Sequence, residues 1–279
     1  MTRPFHSRLG CSTISFRHQS LPQALETIAG LGFTEIDLGA LPGVCDHVPY
    51  VLDERAVEAV AHDVAASGLR VRSINGDIGD LNAALTPVQR AARTRHLDML
   101  VALAVATGSR ALVLPCGALS HEPLESLAAD LERVATELVA AAHTAAGFGV
   151  ELWTESLHYH RLCFDISRAA ALFDRLSVDG SEVGIVMDFS HIVASGGDPA
   201  DFVSRFGTRI SHVHIRDAVP GNINLSVGNG AVDFRNGLKA LAAAGFAGHL
   251  ALELETRDIT NEERPAAAVH AGLLISELV

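Results

Sequence analysis

The sequence predicts a (β/α)8 TIM barrel, read as one catalytic domain over residues 1–279. Three observations carry that reading. Eight short runs rich in β-branched residues alternate with eight stretches of helical spacing, so each strand precedes one helix. Glycine closes five of the helices just before the next strand, as the left-handed cap of an αβ turn requires. Eight βα units in 279 residues suit a closed parallel barrel, usually of about 250 residues, better than an open sheet with a second domain.

Taken in order, the first run, 8–11, leads to helical spacing over 22–31, which AGLGFTEID closes and turns into the second run, 34–38. Helical spacing over 54–67 ends in ASGLRVRS, whose tail is the third run, 70–75. The long stretch 87–106 ends in ATGSRALV and yields the fourth run, 110–114. Spacing over 124–146 is closed by AAGFGVEL, which opens the fifth run, 150–155. The helical stretch 167–176 precedes the sixth run, 183–188, and 199–206 precedes the seventh, 210–215. Last come 234–244, closed by AAGFAGHL, the eighth run at 249–254, and a final helix over 264–278.

With 48% hydrophobic and 19% charged residues, the chain can fill a large core. No apolar run approaches the roughly 20 residues of a membrane helix, and MTRPFHSRLG lacks the apolar stretch of a signal peptide, so a cytoplasmic protein without membrane contact is expected. Cys11, Cys45, Cys116 and Cys163 show no C-x-x-C spacing and read as reduced, buried thiols. A net charge of −12 with only 21 lysines and arginines repels a phosphate backbone, so no nucleic-acid partner is expected.

In this fold chemistry sits at the C-terminal ends of the strands. Strand five ends in ELWTES with Glu155, strand six in VMDFSH with Asp188, strand seven in HVHIRD with His214, and strand eight in LALELET with Glu253. Four common ligands of hard or borderline cations thus fall at equivalent depth on four consecutive strands. Three converging carboxylates repel one another unless a cation neutralises them, so Glu155, Asp188, His214 and Glu253 are read as a site for one divalent ion: manganese, cobalt, magnesium or zinc. Alternation puts His212 on the same face as His214 but one layer deeper, where it supports the ligand by hydrogen bonding or packs as a core histidine; packing is the favoured reading.

These residues resemble the xylose isomerase-like TIM barrels, which include sugar isomerases, ketose 3-epimerases, inosose dehydratases and, more distantly, apurinic-site endonucleases. The resemblance runs from LGCST and GFTEIDLG through GVELWTE and MDFSH to HVHIRD, GNGAVDF and GFAGHLALELE. It implies that Glu155, Asp188, His214 and Glu253 hold the metal and that Glu155 and Glu253 act as acid and base on opposite faces of the substrate, while the metal polarises a carbonyl and the adjacent hydroxyl. That chemistry is sound in itself, because a C–H beside a carbonyl becomes acidic once the developing enediolate is stabilised.

Around this centre, His47, Asn75, His158, Arg161, His191 and Arg216 lie just past strand ends and are candidate substrate contacts or acids. The resemblance adds Asp37, at the strand-two position where the family often carries a substrate-facing glutamate, and matches His191 to a substrate-contacting histidine. Ketose 3-epimerases of this type usually carry a substrate-binding arginine a few residues after the strand-seven histidine. Here that stretch is AVPGNINLS, and the nearest arginine is Arg216. The glycine-rich GNINLSVGNG reads as a mobile loop at the barrel mouth or as plain turns.

No phosphate-cradling glycine motif is present, which favours a non-phosphorylated sugar or polyol substrate. The expected activity is a metal-dependent sugar isomerase or epimerase. The alternative is a lyase using the same chemistry on an inosose or a 3-keto-glycoside, with His158 or His191 protonating the leaving group. An endonuclease-like hydrolase ranks below both, because the net charge opposes DNA binding. Whether a second chain, as a homo-oligomer or a partner subunit, completes the site is left open.

Overall fold

The computed structural model describes residues 5–178 and 182–279; the extreme N-terminus and residues 179–181 of the expected single domain lie outside the described residues. The barrel strands are β1 (Leu9–Cys11), β2 (Glu35–Ala40), β3 (Arg70–Gly76), β4 (Ala111–Pro115), β5 (Glu151–Glu155), β6 (Gly184–Asp188), β7 (Ile210–Ile215) and β10 (His249–Leu252), paired in the order β1-β10-β7-β6-β5-β4-β3-β2. Each of these pairings is parallel. β1 and β2 meet at the seam of the nearly closed barrel, where a Cβ on Gly10 would lie 2.8 Å from the Glu35 carbonyl oxygen. Only glycine lets the two backbones come this close.

The surrounding helices are α1 (Leu21–Gly30), α2 (Glu54–Ser67), α3 (Pro87–Thr107), α4 (Leu127–Ala146), α5 (Ile166–Val178), α6 (Phe189–Ala194), α7 (Pro199–Phe206), α8 (Phe234–Ala243) and α9 (Arg264–Ser276). Their starts follow local chemistry: Ser20 with Gln23 and Thr86 with Gln89 form reciprocal caps on α1 and α3, and Asp53 and Asp198 cap α2 and α7. The expected glycine stops are in place, since Gly32, Gly68, Gly108, Gly149 and Gly245 all have positive φ. Helix α4 begins at Leu127 and not at 124, because the Asp130 carboxylate draws the Leu124 and Glu125 N–H groups into a cap ahead of the helix.

Apolar side chains from both layers form the main core, including Leu25 and Ile28 of α1, Leu100 of α3, Leu138 of α4 and Ile36, Ile74 and Leu112 of the strands. Inside the barrel a smaller apolar cluster, Ala111, Val113, Trp153 and Val186, fills the β4–β6 side. No described helix is long and apolar enough to cross a membrane.

Two features depart from the expectation of one helix per strand. Helix α6 follows β6 directly, with Asp188 as its N-cap, before α7 begins. After β7 the chain forms an antiparallel hairpin, β8 (Asp217–Val219) with β9 (Asn222–Leu225). The stretch GNINLSVGNG is therefore ordered and not a free loop. The Asp217 carboxylate accepts N–H bonds from Gly228, Gly230 and Val232 at 2.8, 3.0 and 3.1 Å, and that of Asp258 accepts from Ser226 and Asn229.

Candidate metal centre and active-site cavity

Strand alternation and the parallel register build the site. Glu155 ends β5 and Asp188 ends β6; His214 is the Cα partner of Asp188 on one side and of Ala251 on the other, so Glu253, two residues past Ala251, rises beside it. Ligand atoms of Glu155, Asp188, His214 and Glu253 all lie within 4.8 Å of one another, and all four residues are buried. His214 Nδ1 is 2.7 Å from Glu253 Oε2 and 3.2 Å from Glu155 Oε1.

This donor set fits a divalent cation. Three carboxylates and one imidazole share one buried point, and the buried Glu253 Oε2 makes no hydrogen bond. Burial and the Glu253 charge push the Glu155 carboxyl up, against the hydrogen bond from His214. Burial alone would lower His214, but Glu253, Asp37 and Glu155 outweigh it and hold its pKa well above the ordinary value. A positive charge at the centre of the quartet is what these groups demand.

Asp188 shows how the local sequence aims a ligand. Its Oδ1 accepts from the Ser190 N–H at 2.6 Å, the Ser190 hydroxyl at 2.7 Å and the His191 N–H at 3.2 Å, which leaves Oδ2 facing the centre. Arg216 lies 3.3 Å from that Oδ2 and donates to the Ser190 hydroxyl at 3.0 Å.

Glu155 and Glu253 line the floor of a cavity of about 220 Å³ at the C-terminal mouth of the barrel, and Asp188 and His214 are buried out of it. His158 and His191 stand over Glu155 with their ring centroids 3.9 Å apart and their planes tilted by 32°, and their Nε2 atoms lie 3.8 and 4.0 Å from its oxygens. The Tyr159 N–H donates to His191 Nδ1 at 3.2 Å, and the Arg216 guanidinium faces its Nε2 at 3.3 Å. Burial first, then neighbouring cationic groups, hold both histidines well below their ordinary pKa, so both rings are neutral.

Of the residues anticipated around the centre, Asn75, His158, Arg161, His191 and Arg216 line the cavity. Asn75 donates to Glu253 Oε1 at 3.4 Å, and Arg161 donates to Asp77 and to the Gly117 carbonyl, both at 2.8 Å. Asp37 and His47 are placed elsewhere. Strand β2 runs on to Ala40, so Asp37 lies mid-strand, fully buried beneath the floor, 2.7 Å from His212 Nε2. His47 is buried outside the cavity lining, with Nε2 bonded to the Gln19 carbonyl at 3.1 Å and Nδ1 beside the Cys45 thiol. The four cysteines are free and buried.

The cavity also recruits residues the strand-end reading passed over: Asp77, His160, Ile223, Asn224, Glu255 and Arg257. Glu255 and Arg257 continue the alternation from Glu253 in ELETRD, a pattern visible in the sequence. Ile223 and Asn224 come from the hairpin, which gave no strand signal. Ile14, Leu41, Pro42, Val44 and Leu119 make the opposite, apolar wall. Each cavity arginine is already paired with a carboxylate: Arg161 with Asp77, Arg216 with Asp188 and Glu255, and Arg257 with Glu255.

A family model described as xylose isomerase-like TIM barrel matches residues 25–275. The rhizopine catabolism protein MocC of Rhizobium meliloti is 34% identical over 143 residues, 44% of this chain and 42% of that protein. An inosose dehydratase of Lacticaseibacillus casei is 26% identical over 144 residues, 44% of this chain and 47% of that protein. These matches span less than half of either relative. Among solved structures, an L-ribulose 3-epimerase superposes with a TM-score of 0.75 at 22% identity, covering 98% of this chain and 96% of that one. Strand order, the position of the cavity and the extent of the family match agree: the chain belongs to the xylose isomerase-like TIM barrel family.

Proposed function

We propose that this chain is a divalent-metal-dependent isomerase or epimerase that moves a proton next to a carbonyl of a non-phosphorylated sugar or polyol. The observation that carries the reading is the placement of Glu155 and Glu253, whose carboxylates flank one point beside His214 Nδ1 at 3.2 and 2.7 Å. A bound manganese, cobalt, magnesium or zinc ion would supply the Lewis acidity that stabilises charge developing on the carbonyl and neighbouring hydroxyl oxygens. Glu155, Asp188, His214 and Glu253 would hold it.

In this reading one glutamate removes the proton from one face of the substrate carbon and the other returns a proton to the opposite face. Desolvation, which already raises the Glu155 carboxyl, makes that group a better proton carrier than an exposed carboxylate. Arg161, Arg216 and Arg257, each matched to a carboxylate, leave no spare cation to meet a phosphate. The wall therefore suits neutral hydroxyls. The name of the superposed L-ribulose 3-epimerase supports the same chemistry.

A second reading, elimination by a lyase, is favoured by the neighbouring His158 and His191 rings. Their Nε2 atoms lie 3.8 and 4.0 Å from the Glu155 oxygens, so a proton that a glutamate takes from the substrate would pass to a ring and from there to the leaving hydroxyl or alkoxide. The inosose dehydratase relative points the same way.

The test is solvent deuterium incorporation and product formation with keto-sugars and inososes, for Glu155→Gln, Glu253→Gln, His158→Ala and His191→Ala at matched metal content. Epimerisation requires each glutamine variant to lose interconversion by about 10²-fold or more. Elimination requires one dispensable glutamate and one indispensable histidine. Full turnover in both glutamine variants sinks the carboxylate mechanism.

A further inference from the structure

We propose that Asp37 is a positioning residue that fixes His214 in the tautomer able to bind a metal, with His212 as the clamp that holds Asp37 in place. The inference rests on the metal site described above. Asp37 comes from β2 and His212 and His214 from β7, so the carboxylate reaches across the barrel interior to meet them. Its Oδ2 lies 2.7 Å from His212 Nε2 and 3.4 Å from His214 Nε2, and all three side chains are sealed from solvent.

A neutral imidazole has one N–H and one lone pair. His214 turns Nδ1 toward Glu155 and Glu253 and Nε2 toward Asp37, so in the neutral ring that ligation requires, carboxylates would compete for the one remaining proton from both ends. With the proton on Nδ1, His214 is only a hydrogen-bond donor to Glu155 and cannot ligate through that atom. With the proton on Nε2, donated to Asp37, the Nδ1 lone pair faces the ligand carboxylates. Asp37 tips this choice by position: its Oδ2 faces Nε2, while an ion held by Glu155 and Glu253 would engage the carboxylates that face Nδ1.

His212 completes the arrangement. It donates Nε2–H to the oxygen that also faces His214, stacks on Trp153 at 5.4 Å and meets His214 edge-on at 5.3 Å. Asp37 is thereby pinned between two rings at one height in the barrel. Outer carboxylates of this kind orient histidine ligands and raise their basicity, and their loss weakens metal binding by about 10- to 100-fold.

The experiment compares wild type, Asp37→Asn and His212→Gln, each stripped with chelator and titrated with Mn²⁺ by calorimetry and with Co²⁺ by visible absorption. Asparagine keeps the volume but offers neither charge nor two acceptor oxygens. Asp37→Asn should bind Mn²⁺ about 10- to 100-fold more weakly and shift the Co²⁺ bands. His212→Gln, which still donates to Asp37, should stay within about threefold of wild type, well short of that loss. A folded Asp37→Asn with wild-type affinity and an unchanged cobalt spectrum overturns the inference. Should Asp37→Asn fail to fold, long-range ¹H–¹⁵N spectra of the zinc-loaded wild type decide: Nδ1 ligation with a protonated Nε2 supports it, and Nε2 ligation overturns it. A wild-type protein that takes up no divalent ion removes the metal-site reading itself, and this inference with it.

Discussion

Replacing Arg216 with methionine should destabilise the metal-free protein far more than the metal-loaded one. Arg216 is 2% exposed and its guanidinium faces Asp188 Oδ2 at 3.3 Å, Glu255 at 3.6 Å and the Ser190 hydroxyl at 3.0 Å. Methionine fills similar space but leaves Asp188 a buried charge without its partner, a loss of about 3–5 kcal/mol for a broken buried pair. At roughly 2–4 °C per kcal/mol for a domain of this size, the thermal midpoint in chelator should fall by on the order of 10 °C. A divalent ion held by the same Asp188 offsets much of that charge, so saturating Mn²⁺ should narrow the gap between variant and wild type. Scanning calorimetry of both proteins, with EDTA and with Mn²⁺, reads the two differences. An equal loss under both conditions, or a shift below about 2 °C in chelator, would refute the reasoning, because Arg216 would then be neutralising nothing.

At the barrel seam, Gly10→Ala should lower the urea midpoint by the equivalent of about 1–3 kcal/mol, since its Cβ would sit 2.8 Å from the Glu35 carbonyl oxygen; an unchanged midpoint contradicts the close approach. Asp258→Ala removes the acceptor for the Ser226 N–H and hydroxyl and the Asn229 amide, so hydrogen exchange should accelerate across residues 222–230 while the barrel strands keep their protection. Burial pushes the Cys11 thiol up to about 12 and Cys45 up to about 11, so at pH 8 both stay protonated. Ellman's reagent should therefore leave them unmodified in the native protein and label them only after unfolding, and rapid native labelling would contradict their burial.

Much of this architecture was legible in the sequence because βα repetition is a local signal. Gly68 and Gly108 announce helix stops through their own backbone conformation, and Glu155, Asp188, His214 and Glu253 announce themselves by falling at the ends of successive apolar runs. Depth inside the barrel is not local. A run ending at 38 makes Asp37 look terminal, yet β2 continues to Ala40 with a register shift between Ile36 and Asp37, which lowers the carboxylate beneath the floor. The hairpin was illegible for a related reason: GNINLSVGNG has turn composition, and its order comes from Asp217 and Asp258 elsewhere in the chain. His47 lies past a strand end, as a substrate contact would, but its neighbours Gln19 and Cys45 claim both ring nitrogens.

The four quartet residues come from β5, β6, β7 and the end of β10, which are contiguous in the sheet, whereas Ile14, Leu41, Pro42, Val44 and Leu119 come from the segments that follow β1, β2 and β4. The candidate ligands and the apolar wall thus sit on two different arcs of one barrel. A chimera that keeps residues 150–279 together with Asp37 and Asn75, and takes the rest of its first four βα units from a relative, would retain the four candidate ligands and their contacts while acquiring a different apolar wall. Substitutions confined to Ile14, Leu41, Pro42, Val44 and Leu119 would therefore reshape one side of the cavity while leaving the four candidate ligands in place.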